Sequence, residues 1–120
     1  MKSILIVDDK QELAKIVMLY LSNSFRVVYK ENPIKAIEWL NEGNIPDGIL
    51  SDLNMPEMSG EEFLCYLKKN SLFSHIPIMI LSSEDSSSVR IRLLEEGAED
   101  YIMKPFNPEE LKIRLKRLIK

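Results

Sequence analysis

Five short apolar stretches punctuate the chain, and between them hydrophobic residues recur at helical spacing. Residues 4–7, 25–29, 48–51, 76–81 and 100–103 read as strands. Their Ile, Val, Leu and Met residues run on instead of alternating with polar ones, as in strands covered on both faces of a parallel sheet. Leu13, Ile16, Val17, Tyr20 and Leu21 repeat at i, i+3, i+4, i+7 and i+8 and predict one buried helical face. Ile34, Ile37 and Leu40 mark a second helix, and Phe63, Leu64 and Leu67 a third. Val89, Leu93 and Leu94 mark a fourth, less regular one. Leu111, Leu115, Leu118 and Ile119 mark a fifth.

The punctuation agrees with these elements. Asn32-Pro33 and Asn107-Pro108 each set a capping side chain before a proline suited to the first helical position. Ser59 and Glu62 have capping-box spacing. Gly43 and Gly97 fall just past helix ends, where a left-handed residue is wanted. Ser86-Ser87-Ser88 reads as a short polar turn. Five βα units with right-handed crossovers predict an α/β fold, an open doubly wound sheet of five parallel strands with five helices. In such sheets ligands bind beyond the carboxyl ends of the strands.

Composition narrows the class. At 120 residues the chain is one domain, long enough to bury a core without staples. A net charge of −3 speaks against direct nucleic-acid contact, which needs a basic face. The single cysteine, Cys65, cannot form an internal disulfide, which fits a reducing cytoplasm. The apolar run that follows Met1-Lys2-Ser3 is too short for a secretory segment. No run approaches the roughly 20 apolar residues of a membrane span.

Candidate chemistry gathers at the predicted strand ends. Asp8 and Asp9 close the first strand and Asp52 closes the third, so parallel strands bring three carboxylates to one edge. Three such charges repel unless neutralised, and a hard divalent cation with oxygen ligands is the natural partner. Mg²⁺ held by Asp9, Asp52 and a backbone carbonyl near Asn54, with Asp8 acting mainly through bound water, would leave a carboxylate able to attack phosphate. Asp52 is that candidate nucleophile. Lys104 and the Ser82 hydroxyl, at the ends of the fifth and fourth strands, would each take a phosphoryl oxygen. Each residue also has a plainer reading. Asp9, three residues before Glu12, could only cap the first helix, and Asp52 could only brace a turn. Ser82 could solvate a turn, Lys104 sit on the surface, and Tyr101 merely favour a strand.

Four segments together carry a family resemblance: Val7-Asp8-Asp9; Ser51-Asp52-Leu53-Asn54-Met55-Pro56 with Gly60; Ile80-Leu81-Ser82-Ser83; and residues 97–106, from Gly97 through Tyr101 and Lys104-Pro105 to Phe106. In this order, over essentially the whole length, the chain resembles a receiver domain of two-component response regulators. The resemblance implies a flavodoxin-like (βα)5 sheet with strand order 2-1-3-4-5, residues 1–120 forming the receiver with no effector domain. It implies a switch rather than a conventional enzyme, one that catalyses only its own phosphorylation and dephosphorylation. The phosphoryl group comes from a histidine kinase or a histidine phosphotransfer protein onto Asp52, with Mg²⁺, or Mn²⁺ in its place. Ser82 then moves toward the phosphoryl group, and Tyr101 turns from an exposed to a buried rotamer. That reshapes the face of the fourth helix, fifth strand and fifth helix, where outputs bind. The Lys104–Pro105 bond is expected to be cis. Asn54, Ser83 and Glu84 occupy positions that tune hydrolysis, and Ser82 and Ser83 depart from the commoner Thr and Ala or Gly.

Arg90, Glu96, Glu110 and Arg114 are arranged as in regulators that dimerise through this face, with solvated charge as the alternative. The output is a downstream protein or an output domain outside this chain. Two other classes were open. A haloacid-dehalogenase-like phosphatase would want a second Asp where Asn54 stands. A flavodoxin-like cofactor binder would want a glycine- and hydroxyl-rich loop where Asp8-Asp9-Lys10-Gln11 stands. His75 reads as a solvated turn residue and Cys65 as buried filler.

Overall fold

The computed structural model describes residues 1–119. It contains β1 (Ser3–Val7), α1 (Gln11–Leu21), β2 (Arg26–Lys30), α2 (Pro33–Asn41), β3 (Gly48–Asp52), α3 (Gly60–Lys69), β4 (Ile78–Ser82), α4 (Ser87–Glu95), β5 (Asp100–Met103) and α5 (Pro108–Leu118). All neighbouring strands are parallel, in the order β2-β1-β3-β4-β5. The fold is therefore the expected doubly wound one.

Alternate residues of each central strand serve opposite helical layers. Leu5, Val7, Ile49, Ile78 and Ile80 face α2, α3 and α4, where they meet Leu40, Phe63, Leu64, Leu67 and Leu93. Ile4, Ile6, Leu50, Met79 and Leu81 face α1 and α5, where they meet Val17, Leu21, Leu111 and Leu115. Every residue of β3 and β4 is buried, which is why their sequences do not alternate in polarity. Edge strand β2 is only half-buried.

Strand ends shift by up to two residues from the periodicity. β2 begins at Arg26, since Phe25 is a buried residue of the turn before it, and β4 begins after Pro77, which has no N–H to give a ladder. The α1 face is rotated from the predicted one. Ala14, Val17 and Leu21 are buried, whereas Ile16 is 62% exposed. In α2 small residues again take the inward positions: Pro33 and Ala36 are buried with Leu40, and Ile34 is left exposed. Only Leu93 of α4 is fully buried, so that helix rests on a narrow contact.

The caps form largely as read. Asn32, Ser59 and Asn107 each accept a backbone N–H of their helix, and Ser59 with Glu62 makes the full capping box. Gly43 and Gly97 take positive φ, +102° and +118°. The serine run is a helix start rather than a turn: the Ser86 hydroxyl accepts from Val89 N–H, and Ser87 opens α4. The cap of α1 is Lys10, not Asp9.

Candidate functional site

Sheet order reverses direction between β1 and β3, and there the helices leave on opposite sides and open a crevice. Val7 pairs with Ser51, so the residues that follow, Asp8 and Asp52, come out side by side. On the other side of β3, Ser82 closes β4 in register with Met103, and the Lys104 N–H donates to the Ser82 carbonyl at 2.8 Å. One sheet edge thus brings Asp8, Asp9, Asp52, Ser82 and Lys104 together.

Asp8 and Asp52 are 3% exposed and Ser82 1%, whereas Asp9 lies in solvent. The three carboxylates each offer an oxygen within 4.8 Å of the others. Lys104 Nζ stands 2.8 Å from Asp52 Oδ1 and 3.9 Å from Asp8 Oδ2. Burial pushes the Asp8 carboxyl above its usual range; the Lys10 backbone N–H pulls it down, Asp52 adds to the rise, and the two lysines oppose it. A hard, oxygen-only donor set with excess negative charge fits a divalent cation such as Mg²⁺ or Mn²⁺.

The loop after β3 is held close by Gly60. Its N–H donates to the Leu53 carbonyl at 2.7 Å, and a Cβ there would lie 2.2 Å from the Asp52 carbonyl oxygen. No side chain fits, so α3 begins tight against the strand that carries Asp52. Asn54 lies exposed in this loop, and Ser83 and Glu84 are exposed after β4.

Ser82 and Tyr101 are joined through one residue. The Ser82 hydroxyl accepts from the Glu84 N–H at 2.9 Å, and the Tyr101 hydroxyl donates to the Glu84 carbonyl, also at 2.9 Å. Tyr101, read from the resemblance as starting exposed, is 5% exposed here; its ring packs in the core layer with Leu93 and Ala98. The Lys104–Pro105 peptide is cis.

The four charges expected on one face do not all gather. Arg90, Glu110 and Arg114 line one open cleft with Tyr101 and Phe106. Arg114 pairs within the chain, with Glu110 at 2.9 Å and Asp100 at 3.4 Å. Glu96 lies instead at the C-terminus of α4, with Cys65 Sγ 3.9 Å from its Oε1, because the helix turns that position toward α3. Cys65 is half-buried rather than core filler, and His75 is exposed in the turn before β4.

Sequence reasoning passed over Lys10. Its Nζ lies 3.3 Å from Asp52 Oδ2 and 3.5 Å from Asp9 Oδ1. Partial burial acts to lower its pKa, but Asp52, Asp9 and Asp8 outweigh that and raise it. Its place directly after two aspartates was the available signal. Tyr29 was also missed; its hydroxyl donates to the Asp8 carbonyl at 2.6 Å and braces the end of β1.

The family model described as response regulator receiver domain matches residues 4–116. The phosphate regulon transcriptional regulatory protein PhoB of Escherichia coli is 38% identical over 99% of the chain, which spans 52% of PhoB. The sensor histidine kinase TmoS of Ectopseudomonas mendocina is 35% identical over 97% of the chain, which spans 12% of TmoS. The chain therefore spans about half, or much less, of the length of these curated relatives. Among solved structures, chemotaxis protein CheY4 of Vibrio cholerae aligns with a TM-score of 0.90 and 31% identity, covering 98% of each chain. The Mn²⁺-bound form of the response regulator Rcp1 aligns at 0.82 with 25% identity, covering 98% of this chain and 91% of its own.

Proposed function

The chain belongs to the response regulator receiver domain family of two-component systems, and on that premise we propose that it is a phosphorylation-controlled switch whose acceptor is Asp52. One observation carries this reading: the Asp52 carboxylate, buried at the end of β3, has Lys104 on one oxygen at 2.8 Å and two further acids beside it. In the reaction an Asp52 oxygen forms a bond to phosphorus as the N–P bond of a phosphohistidine breaks. The imidazole nitrogen leaves with that electron pair. The donor is a histidine kinase or a histidine phosphotransfer protein, consistent with relatives among histidine kinases.

Asp9, Asp52 and the Asn54 backbone carbonyl are the groups that would hold Mg²⁺, with Asp8 acting through water; Mn²⁺ is a substitute, as the Mn²⁺-bound relative suggests. When bound, the ion supplies positive charge against the phosphoryl oxygens. Lys104 places its ammonium on the same charge from the β5 side, and the Ser82 hydroxyl is a donor from the end of β4. Positioning and charge stabilisation are most of what such a transfer needs. The chain acts in this way on itself alone, as a cytoplasmic signalling component rather than a turnover enzyme.

The relay follows from two hydrogen bonds. If the Ser82 hydroxyl turns to the phosphoryl group it gives up the Glu84 N–H, and Glu84 carries the carbonyl that holds Tyr101. Charge at one end thereby biases the α4–β5–α5 face at the other, a two-state equilibrium. Asn54, Ser83 and Glu84 border the acceptor and set water access to it. A homodimer would use Arg90, Glu110 and Arg114 on that face, with Glu96 at its margin; the output is a protein target or an output domain.

The test is intact mass after incubation with acetyl phosphate and Mg²⁺. Wild type should gain one base-labile phosphoryl group, and Asp52→Ala or EDTA should abolish the gain. A gain that persists in Asp52→Ala would move the acceptor elsewhere and overturn the assignment.

A further inference from the structure

Lys10 stands at the N-cap of α1, directly after the two aspartates. Its backbone N–H donates to Asp8 Oδ1 at 2.9 Å, so the main chain is anchored. Its side chain is 55% exposed and turns back over the sheet edge, with Nζ at 3.3 Å from Asp52 Oδ2 and 3.5 Å from Asp9 Oδ1. Lys104, only 15% exposed, approaches the other Asp52 oxygen from within. The two lysines thus divide Asp52 between them, one from the core and one from solvent.

We propose that Lys10 is a tethered counter-ion that competes with the divalent cation for Asp9 and Asp52, and so sets the metal concentration at which the site loads. The inference rests on the reading of Asp9 and Asp52 as metal ligands. An ammonium and a divalent ion repel, and these two contest the same oxygens: Lys104 holds Asp52 Oδ1, which leaves Oδ2, where Lys10 stands, and the neighbouring Asp9 Oδ1 for the ion. The metal carries twice the charge, while the lysine is covalently held nearby and is present at every metal concentration. Release of Lys10 is easy because its stem already lies in water and exposed ion pairs are weak. Metal-free, the ammonium relieves carboxylate repulsion; metal-loaded, it points to solvent and contributes nothing at the site. Lys10 is therefore a positioning residue acting through Asp9 and Asp52.

Calorimetric titration with Mg²⁺ tests this on wild type, Lys10→Gln, Lys10→Arg and Lys15→Gln, the last an exposed lysine half a helix away. Lys10→Gln should bind about three- to fivefold tighter, the scale of a lost exposed ion pair. Lys10→Arg should stay near wild type and Lys15→Gln should not change. Melting supplies a second readout: Lys10→Gln should melt below wild type in EDTA, and the gap should close in saturating Mg²⁺. Wild-type binding with an unchanged Lys10→Gln affinity would overturn the role of Lys10 alone. Equal tightening in Lys15→Gln would assign the effect to general surface charge and overturn it too. Absence of Mg²⁺ binding by wild type and Lys10→Gln alike would overturn the metal reading with it.

Discussion

Near the N-terminal ends of the strands, Asp47 accepts the Ser3 backbone N–H at 2.8 Å and the Ser3 hydroxyl at 3.3 Å. Glu99 accepts the Ile78 N–H at 2.7 Å and pairs with Lys68 at 3.0 Å. At the C-terminal ends, Asp8, Asp9 and Asp52 crowd within 4.8 Å and share the ammonium groups of Lys104 and Lys10. The residue chemistry is the same at both ends. What differs is the ratio of donors to acids: acids with donors of their own hold strand starts together, and acids in excess of their donors store repulsion that a bound cation can relieve. A carboxylate's role here is decided by its neighbours' charges.

The largest expected break in that comparison is at Gly60, which locks the acidic end in place. Gly60→Ala sets a Cβ against the Asp52 carbonyl and Leu53 backbone, neither of which can yield cheaply. A loss of about 3 kcal/mol or more in urea unfolding is expected, with slower phosphorylation by acetyl phosphate. Next comes the structural end. Asp47→Ala leaves the Ser3 N–H without its charged acceptor and should cost about 1–2 kcal/mol in the same assay, with or without Mg²⁺.

The smallest effect has the opposite sign. In metal-free buffer Asp8→Asn removes one of three repelling charges and should raise stability by about 1 kcal/mol. A loss of stability would mean that the Lys104 contact outweighs the repulsion. The pH dependence sharpens the same point. Because burial raises the folded-state pKa of Asp8, there is a pH window above the unfolded chain's value in which the native protein still holds a proton that the unfolded chain has released. Stability from this group should therefore fall as pH rises above the ordinary aspartate range. Asp8→Asn should flatten that decline in a pH series of urea melts.

Element type and order were legible because both helical layers draw on one strand repeat: continuous apolar runs needed two covers, and caps and glycines marked the breaks. The rotation of α1 was not, since residues 13–21 offer two apolar faces, one with Ala14, Val17 and Leu21 and one with Leu13, Ile16 and Tyr20, and only the packed structure shows that the first is buried. The convergence of Asp8, Asp9, Asp52, Ser82 and Lys104 followed from strand-end position alone, because parallel strands put all their carboxyl ends on one edge. The place of Lys10 did not. A long side chain beside two acids can point to water or back across 42 residues of sequence to Asp52, and nothing local distinguishes these. The departure of Glu96 from Arg90, Glu110 and Arg114 was legible in principle, since six residues of α-helix turn Glu96 about 120° away from Arg90 and toward Cys65 of α3.

By itself, then, the sequence determined the layers, the sheet and the strand ends at which charge accumulates, because backbone periodicity and capping act over a few residues. Only the tertiary structure decided which cations answer that charge, the inward seat of Tyr101 and its link through Glu84 to Ser82. Those depend on distances between segments far apart in the chain, which burial and packing set jointly.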